Sequence, residues 1–168
     1  MKKEIKRISL MTAIFLTVAL VSSAVEAGVI RINGTIAGSE IDTPFPDPAE
    51  GFYVNGSFTS TDTQLGPFTL FYSLVVDFAF RGTQDSAPGA SRLVVGDPTN
   101  GDSILVSFSG LNSGSCANGG LRHVDPWTII GGTGRYAGAR GSFTTDQCNS
   151  DTGETSGTIS GTIVVRGH

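Results

Sequence analysis

Past Lys6 the chain contains no lysine, and charged residues of both signs make up only 15% of it. Of 11 Lys and Arg and 15 Asp and Glu, four basic residues (Lys2, Lys3, Lys6, Arg7) and two acidic ones (Glu4, Glu26) fall within the first 27 positions. That leaves 7 scattered arginines against 13 acids, a net charge of −6. Phosphate-backbone binding depends on clustered Lys and Arg, and docking on an anionic bilayer surface needs the same. Neither a nucleic acid nor a membrane surface is an expected partner. Helical periodicity is also missing after residue 27, and no fixed-period repeat replaces it. Only two cysteines occur, Cys116 and Cys148, with no CxxC and no histidine beside them. This pattern argues against a metal or redox centre, and no metal site is expected.

The N-terminus has the make-up of an export signal. A basic stretch (Lys2 to Arg7) precedes a largely apolar run over residues 8–21, and Val25-Glu26-Ala27 offers acceptable groups at −3 and −1 of a cut before Gly28. Ala24 is an alternative cleavage point. About 14 apolar-rich residues fall short of the roughly 20 that a helix needs to cross a bilayer, and no later stretch qualifies as a span. Residues 1–27 are therefore expected to be a cleaved signal peptide, and 28–168 a single domain that is secreted or periplasmic. In such a compartment Cys116 and Cys148 are expected to form a disulfide, worth roughly 3–4 kcal/mol for a loop of about 33 residues.

What fills the remaining chain is glycine, 23 residues in all, alternating with β-prone runs rather than clustering. The first run starts at Val29 and is broken by Asn33-Gly34. Residues 38–50, with Pro44, Pro46 and Pro48, read as a loop. A second run covers 52–59. The strongest covers 68–80, where Leu70, Tyr72, Leu74, Val76, Phe78 and Phe80 share one apolar face, while Phe71, Ser73, Val75, Asp77, Ala79 and Arg81 share the other. Residues 82–91 read as a loop, and 92–95 with 103–109 as a hairpin. Residues 112–120 form a loop carrying Cys116, 127–130 a short strand, and 142–146 and 155–166 the last strands. About eight strands without crossover helices exclude a parallel βαβ fold. An all-β barrel or sandwich remains, and barrel closure removes exposed edges.

The segment Gly131-Gly132-Thr133-Gly134-Arg135-Tyr136-Ala137-Gly138-Ala139-Arg140-Gly141 superficially matches a dinucleotide fingerprint. That motif requires a helix to follow, whereas Ser142-Phe143-Thr144-Thr145 is strand-like. The glycines are better read as a sharp turn in which Tyr136 plugs one end of the core, with Gly138 and Gly141 permitting close backbone approach. This segment, with Asn100-Gly101-Asp102, Phe108-Ser109-Gly110 and Leu65-Gly66-Pro67-Phe68-Thr69, resembles the allene oxide cyclase-like and dirigent-like barrel group, in particular an exported, bacterial-type member. The resemblance spans roughly residues 32–165. It implies an eight-stranded antiparallel, calycin-like β-barrel, often dimeric or trimeric, with a hydrophobic ligand in its lumen and no metal or organic cofactor. No catalytic residue transfers with it, because the matching positions are turn and packing elements.

Candidate chemistry is sparse. Asp77 lies among hydrophobes and would be a proton donor or acceptor if its face lined a lumen. Its side chain more readily points outward beside Ser73 and Arg81. His123 and Asp125, two residues apart with Trp127 following, could pair as a general base and its orienter, although Pro126 suggests a loop there. Arg135 and Arg140 could clamp a carboxylate or pair with acids such as Asp146. Tyr72, Trp127, Arg135 and Tyr136 are the candidate ligand contacts. Asp97, Asp102, Asp151 and Glu154 sit in turns without calcium-loop spacing. Asn33-Gly34-Thr35 and Asn55-Gly56-Ser57 match glycosylation sequons but read more simply as hairpin turns. The leading expectation is an exported barrel that binds a small hydrophobic molecule. The alternatives are a cofactor-free isomerase or cyclase, and a structural barrel with a filled core.

Overall fold

In the computed structural model the described residues are 28–61, 64–79, 82–85, 90–117 and 119–166. The expected signal peptide, Phe80 at the end of the expected 68–80 strand, and Arg81 after it fall outside them. Nine strands follow in order: β1 (Gly28–Pro44), β2 (Gly51–Ser60), β3 (Phe68–Asp77), β4 (Gly82–Asp85), β5 (Ser91–Val95), β6 (Ser103–Ser115), β7 (Leu121–Gly132), β8 (Arg140–Asn149) and β9 (Glu154–Val165). A single 3-10 turn, Gly134–Tyr136, lies between β7 and β8.

Every pairing is antiparallel, and the sheet closes on itself. β1 pairs β9 on one side and β2 on the other, and β2 pairs β3. The short strands β4 and β5 lie end to end in one position between β3 and β6. β4 meets the Leu74-to-Asp77 end of β3, and β5 meets its Phe68-to-Phe71 end. β6, β7, β8 and β9 complete the circle. Nine strands thus fill eight positions of a closed antiparallel barrel, which leaves no long unpaired edge.

Alternation decides what goes inside. Ile32 and Ile36 of β1, Leu70, Tyr72 and Leu74 of β3, and Ile159 and Ile163 of β9 are all buried, and the period-2 pattern of β3 runs as its sequence requires. One end of the lumen is sealed. The β7–β8 connection folds back so that Tyr136, 3% exposed, and Ala139 cover the interior together with Leu65. Gly134 there takes a φ of +52°, and a side chain on it would collide with the Asp102 carboxylate. Gly141 sits against the Thr162 carbonyl with no room for a Cβ. Gly138 serves instead through its left-handed backbone, φ +74°. A strand, not a helix, follows this segment, so the dinucleotide geometry is absent.

Several local expectations are corrected, among them the loop over 112–120, since β6 runs through Ser115. Residues 38–44 are strand, because β1 hydrogen-bonds β2 through Pro44, opposite Phe52. Past Ser39, β1 has no β9 ladder on its other side, so the missing N–H of Pro44 costs nothing there. Asn33-Gly34 and Asn55-Gly56 lie within strands, opposite Ser160 and Ser73, since long-range pairing overrides local turn preference. Pro126 lies inside β7, where the ladder to β6 skips from Trp127 to Val124. The expected loop over 82–91 also contains β4. Cys116 and Cys148 are bonded, with Cα atoms 6.0 Å apart, and tie the β6–β7 loop to β8 at the end opposite Tyr136.

Candidate functional site

At that opposite end the barrel is hollow. A cavity of about 260 Å³ opens between the β1–β2, β6–β7 and β8–β9 connections. Its walls come from alternate residues of six strands. β1 contributes Glu40 and Asp42, β2 Phe52 and Val54, and β3 Tyr72, Leu74 and Val76 with Phe78 just beyond. β6 contributes Phe108, β7 Leu121, His123, Asp125 and Trp127, and β8 Gln147 and Asn149. Phe78 and Leu121 form an apolar rim, 52% and 54% exposed. A shallower groove lined by Ile41 and residues 150–153 shares Glu40, Asp42, Leu121 and Asn149 with the cavity.

The floor is aromatic. Trp127 packs against Phe108 at 4.7 Å, Phe143 at 5.8 Å and Tyr72 at 6.2 Å between ring centroids, and its indole N–H donates to the Thr145 hydroxyl at 3.0 Å. Tyr72 lies over β2 because residue 56, opposite it, is glycine; a Cβ there would run into the phenol ring.

The polar groups are tied across the barrel. The Tyr72 hydroxyl donates to Glu40 Oε2 at 3.1 Å, the Asn149 amide donates to Glu40 Oε1, and the Thr155 hydroxyl donates to Asn149 Oδ1 at 3.0 Å. Glu40 is therefore held from β3 and β8 at once. Burial raises its pKa; the bonds from Tyr72 and Asn149 oppose that rise, and nearby Asp42 adds to it. Asp125, 4% exposed, is pushed up to about 7, first by desolvation and then by the charge of Glu40. Desolvation also raises Asp42, with His123 pulling the other way. His123 is lowered by burial, partly offset by Asp42, so its ring favours the neutral form. Tyr72 is held protonated by burial and by Glu40. The Gln147 side-chain oxygen is buried without a hydrogen-bond partner among the described residues.

The sequence-predicted residues divide into two groups. Tyr72, His123 and Trp127 line the cavity. Asp77 does not: it lies on the opposite face of β3, and its Oδ1 accepts a hydrogen bond from the Ala79 N–H at 2.8 Å. Arg135 and Tyr136 belong to the sealed end, where the guanidinium lies over the ring at 5.0 Å and 3.5 Å from Asp102. Arg140 donates to the carbonyls of Ile130 and Ala139, and Asp146 is taken by Arg122 at 2.6 Å. His123 and Asp125 share a face but are not joined as a general base and its orienter would be. Side chains two apart on a strand leave the backbone about 6.6 Å from one another, and the charges they feel are Asp42 and Glu40 respectively.

Glu40, Asp42, Gln147 and Asn149 were not foreseen as site residues. The signal for the first two was present: Ile32, Ile36, Glu40 and Asp42 keep one parity along β1, and the prolines concealed it. Gln147 and Asn149 likewise continue the parity of Phe143 and Thr145 on β8.

No family model matches the chain, and no curated protein matches it in sequence. Among solved structures it is similar to a pterocarpan synthase dirigent protein, with a TM-score of 0.58 at 12% identity, over 84% of this chain and 92% of that one. The closed eight-position barrel is thus a dirigent-like fold, as the glycine-segment resemblance implies.

Proposed function

We propose that the protein is exported and holds a small, mostly apolar molecule in the hollow end of its barrel. The observation that carries this reading is a half-enclosed cavity walled by aromatic and aliphatic side chains, with a few polar groups converging on it from four strands. Pockets for drug-sized ligands span about 300–1,000 Å³, so a cavity of about 260 Å³ suits an occupant of one or two rings. A barrel acting only as a structural part has no need of such a space. The signal-like N-terminus and the disulfide support export. Among the described residues no helix is long and apolar enough to cross a membrane.

Trp127 is the only tryptophan in the chain, so its emission reports directly on the cavity. A neutral probe such as 2-naphthol is expected to change that emission saturably, and Val76→Trp, which fills the cavity, is expected to abolish the binding when calorimetry is the readout. No change in emission, with no co-purified small molecule in native mass spectrometry, would overturn the proposal.

A second reading, a cofactor-free isomerase or cyclase as in the allene oxide cyclase-like group, is favoured by Asp125. A buried carboxyl pushed up to about 7 can both give and take a proton. In that case Asp125→Asn removes turnover while leaving naphthol binding intact.

A further inference from the structure

The charge of the hollow end is one-sided. Three carboxyl groups face one cavity, Glu40 and Asp42 from β1 and Asp125 from β7, and among the described residues no arginine lines it. Arg122, adjacent in sequence, is turned away and held bidentately by Asp146 at 2.6 and 2.8 Å. His123 shares the wall, but burial disfavours its charged form. The acids are not equivalent. Both oxygens of Glu40 already accept hydrogen bonds, from Tyr72 and Asn149. Among the described residues nothing donates to Asp125. Beside it, as its diagonal neighbour across β7 and β8, Gln147 is 5% exposed, and its side-chain oxygen has no partner among the described residues. A buried acceptor left unpaired is costly, and a ligand that donates to it recovers that cost.

We propose that the occupant is a small organic ammonium, with its N–H groups on Asp125 and Gln147 and its apolar body against Trp127 and Phe108. This rests on the reading that the cavity binds a ligand, and it narrows that ligand to a class. A carboxylate-bearing molecule such as a fatty acid would bring a fourth negative charge to a wall with no fixed cation among its described residues. A neutral apolar molecule would leave Asp125 and Gln147 unpaired. An ammonium answers both deficits, and indole and phenyl faces attract cations strongly where water is excluded. The raised pKa of Asp125 agrees with this: burial first and the charge of Glu40 second disfavour its ionised form, which a cation seated against it would stabilise.

The test compares three matched probes on the purified protein at pH 8: 2-phenylethylamine, 2-phenylethanol and phenylacetate. Trp127 emission and calorimetry are the readouts. The amine is expected to bind at least tenfold tighter than the alcohol, and phenylacetate more weakly than either. Asp125→Asn, checked for an unchanged fold by its circular dichroism spectrum, is expected to bring the amine down to the alcohol's affinity. Gln147→Leu is expected to weaken the amine several-fold and the alcohol little. Equal affinity of amine and alcohol, or tighter binding of phenylacetate, would overturn the ammonium proposal and leave the binding reading standing. If none of the three probes, nor 2-naphthol, reaches the cavity, both fall together.

Discussion

The two ends of one barrel are built from the same alternating strands and yet differ in kind. At the sealed end the inward positions are Phe68, Val95, Ile104 and Ile163, with Tyr136 folded across them, and all are buried. At the hollow end the same parity delivers Glu40, Asp42, His123, Asp125, Gln147 and Asn149. The sealed end resembles any filled small barrel. The hollow end places ionisable groups where water is scarce, which stability alone would not favour. A local rule broken in one region, while its counterpart obeys it, is the reason the proposed function is placed there.

The largest effect should separate the ends by truncation. Tyr136→Ala is expected to cost about 3–5 kcal/mol, as removal of a large buried ring does, whereas Phe78→Ala at the exposed rim should cost far less. Urea denaturation of the two variants measures this, and equal losses would erase the distinction.

Next comes Asp125. Its carboxyl sits near 7 in the folded chain against about 3.9 unfolded, so the native state binds the proton more tightly. The group's contribution to stability is therefore greatest below about pH 4 and is lost as pH rises to about 7. Asp125→Asn should stabilise by about 1–2 kcal/mol at pH 5 and by more at pH 8, an amount of order 4 kcal/mol at most. Denaturation curves at the two pH values give the sign, and stabilisation confined to pH 5 would contradict it.

A smaller effect concerns the boundary between the two regions. Thr145→Val deprives the buried Trp127 indole N–H of its acceptor and should cost about 1–3 kcal/mol, with a shift in Trp127 emission. Smallest of all, Arg122→Ala removes an exposed ion pair on the outer surface and should leave the thermal midpoint unchanged. A marked loss would mean that the outer wall of the mouth matters more than its lining.

The legibility of these regions in the sequence was just as unequal. The sealed end could be read because its signals are local. Unbroken alternation along β3 gave the inner face, and glycines clustered about Tyr136 gave a turn and a plug. The hollow end could not, because its residues meet only through barrel closure. Glu40 and Asn149 bond across more than a hundred positions, and nothing near either one announces the other. Local punctuation also misled. Pro44, Pro126 and Asn55-Gly56 are strong turn signals, and each lies in a strand where a neighbouring ladder ends or skips, or where a ring needs the space of a missing side chain. His123 and Trp127 were identified on β7, but the partners that give them meaning stand on β1 and β3.

The most direct measurement is a ¹³C NMR titration of the Asp125 carboxyl in the intact protein. A midpoint near 7 is the predicted result, as befits an acid enclosed beside Glu40 in an aromatic-walled hollow. A midpoint near 4 would put that carboxyl in open water and contradict the hollow end as described.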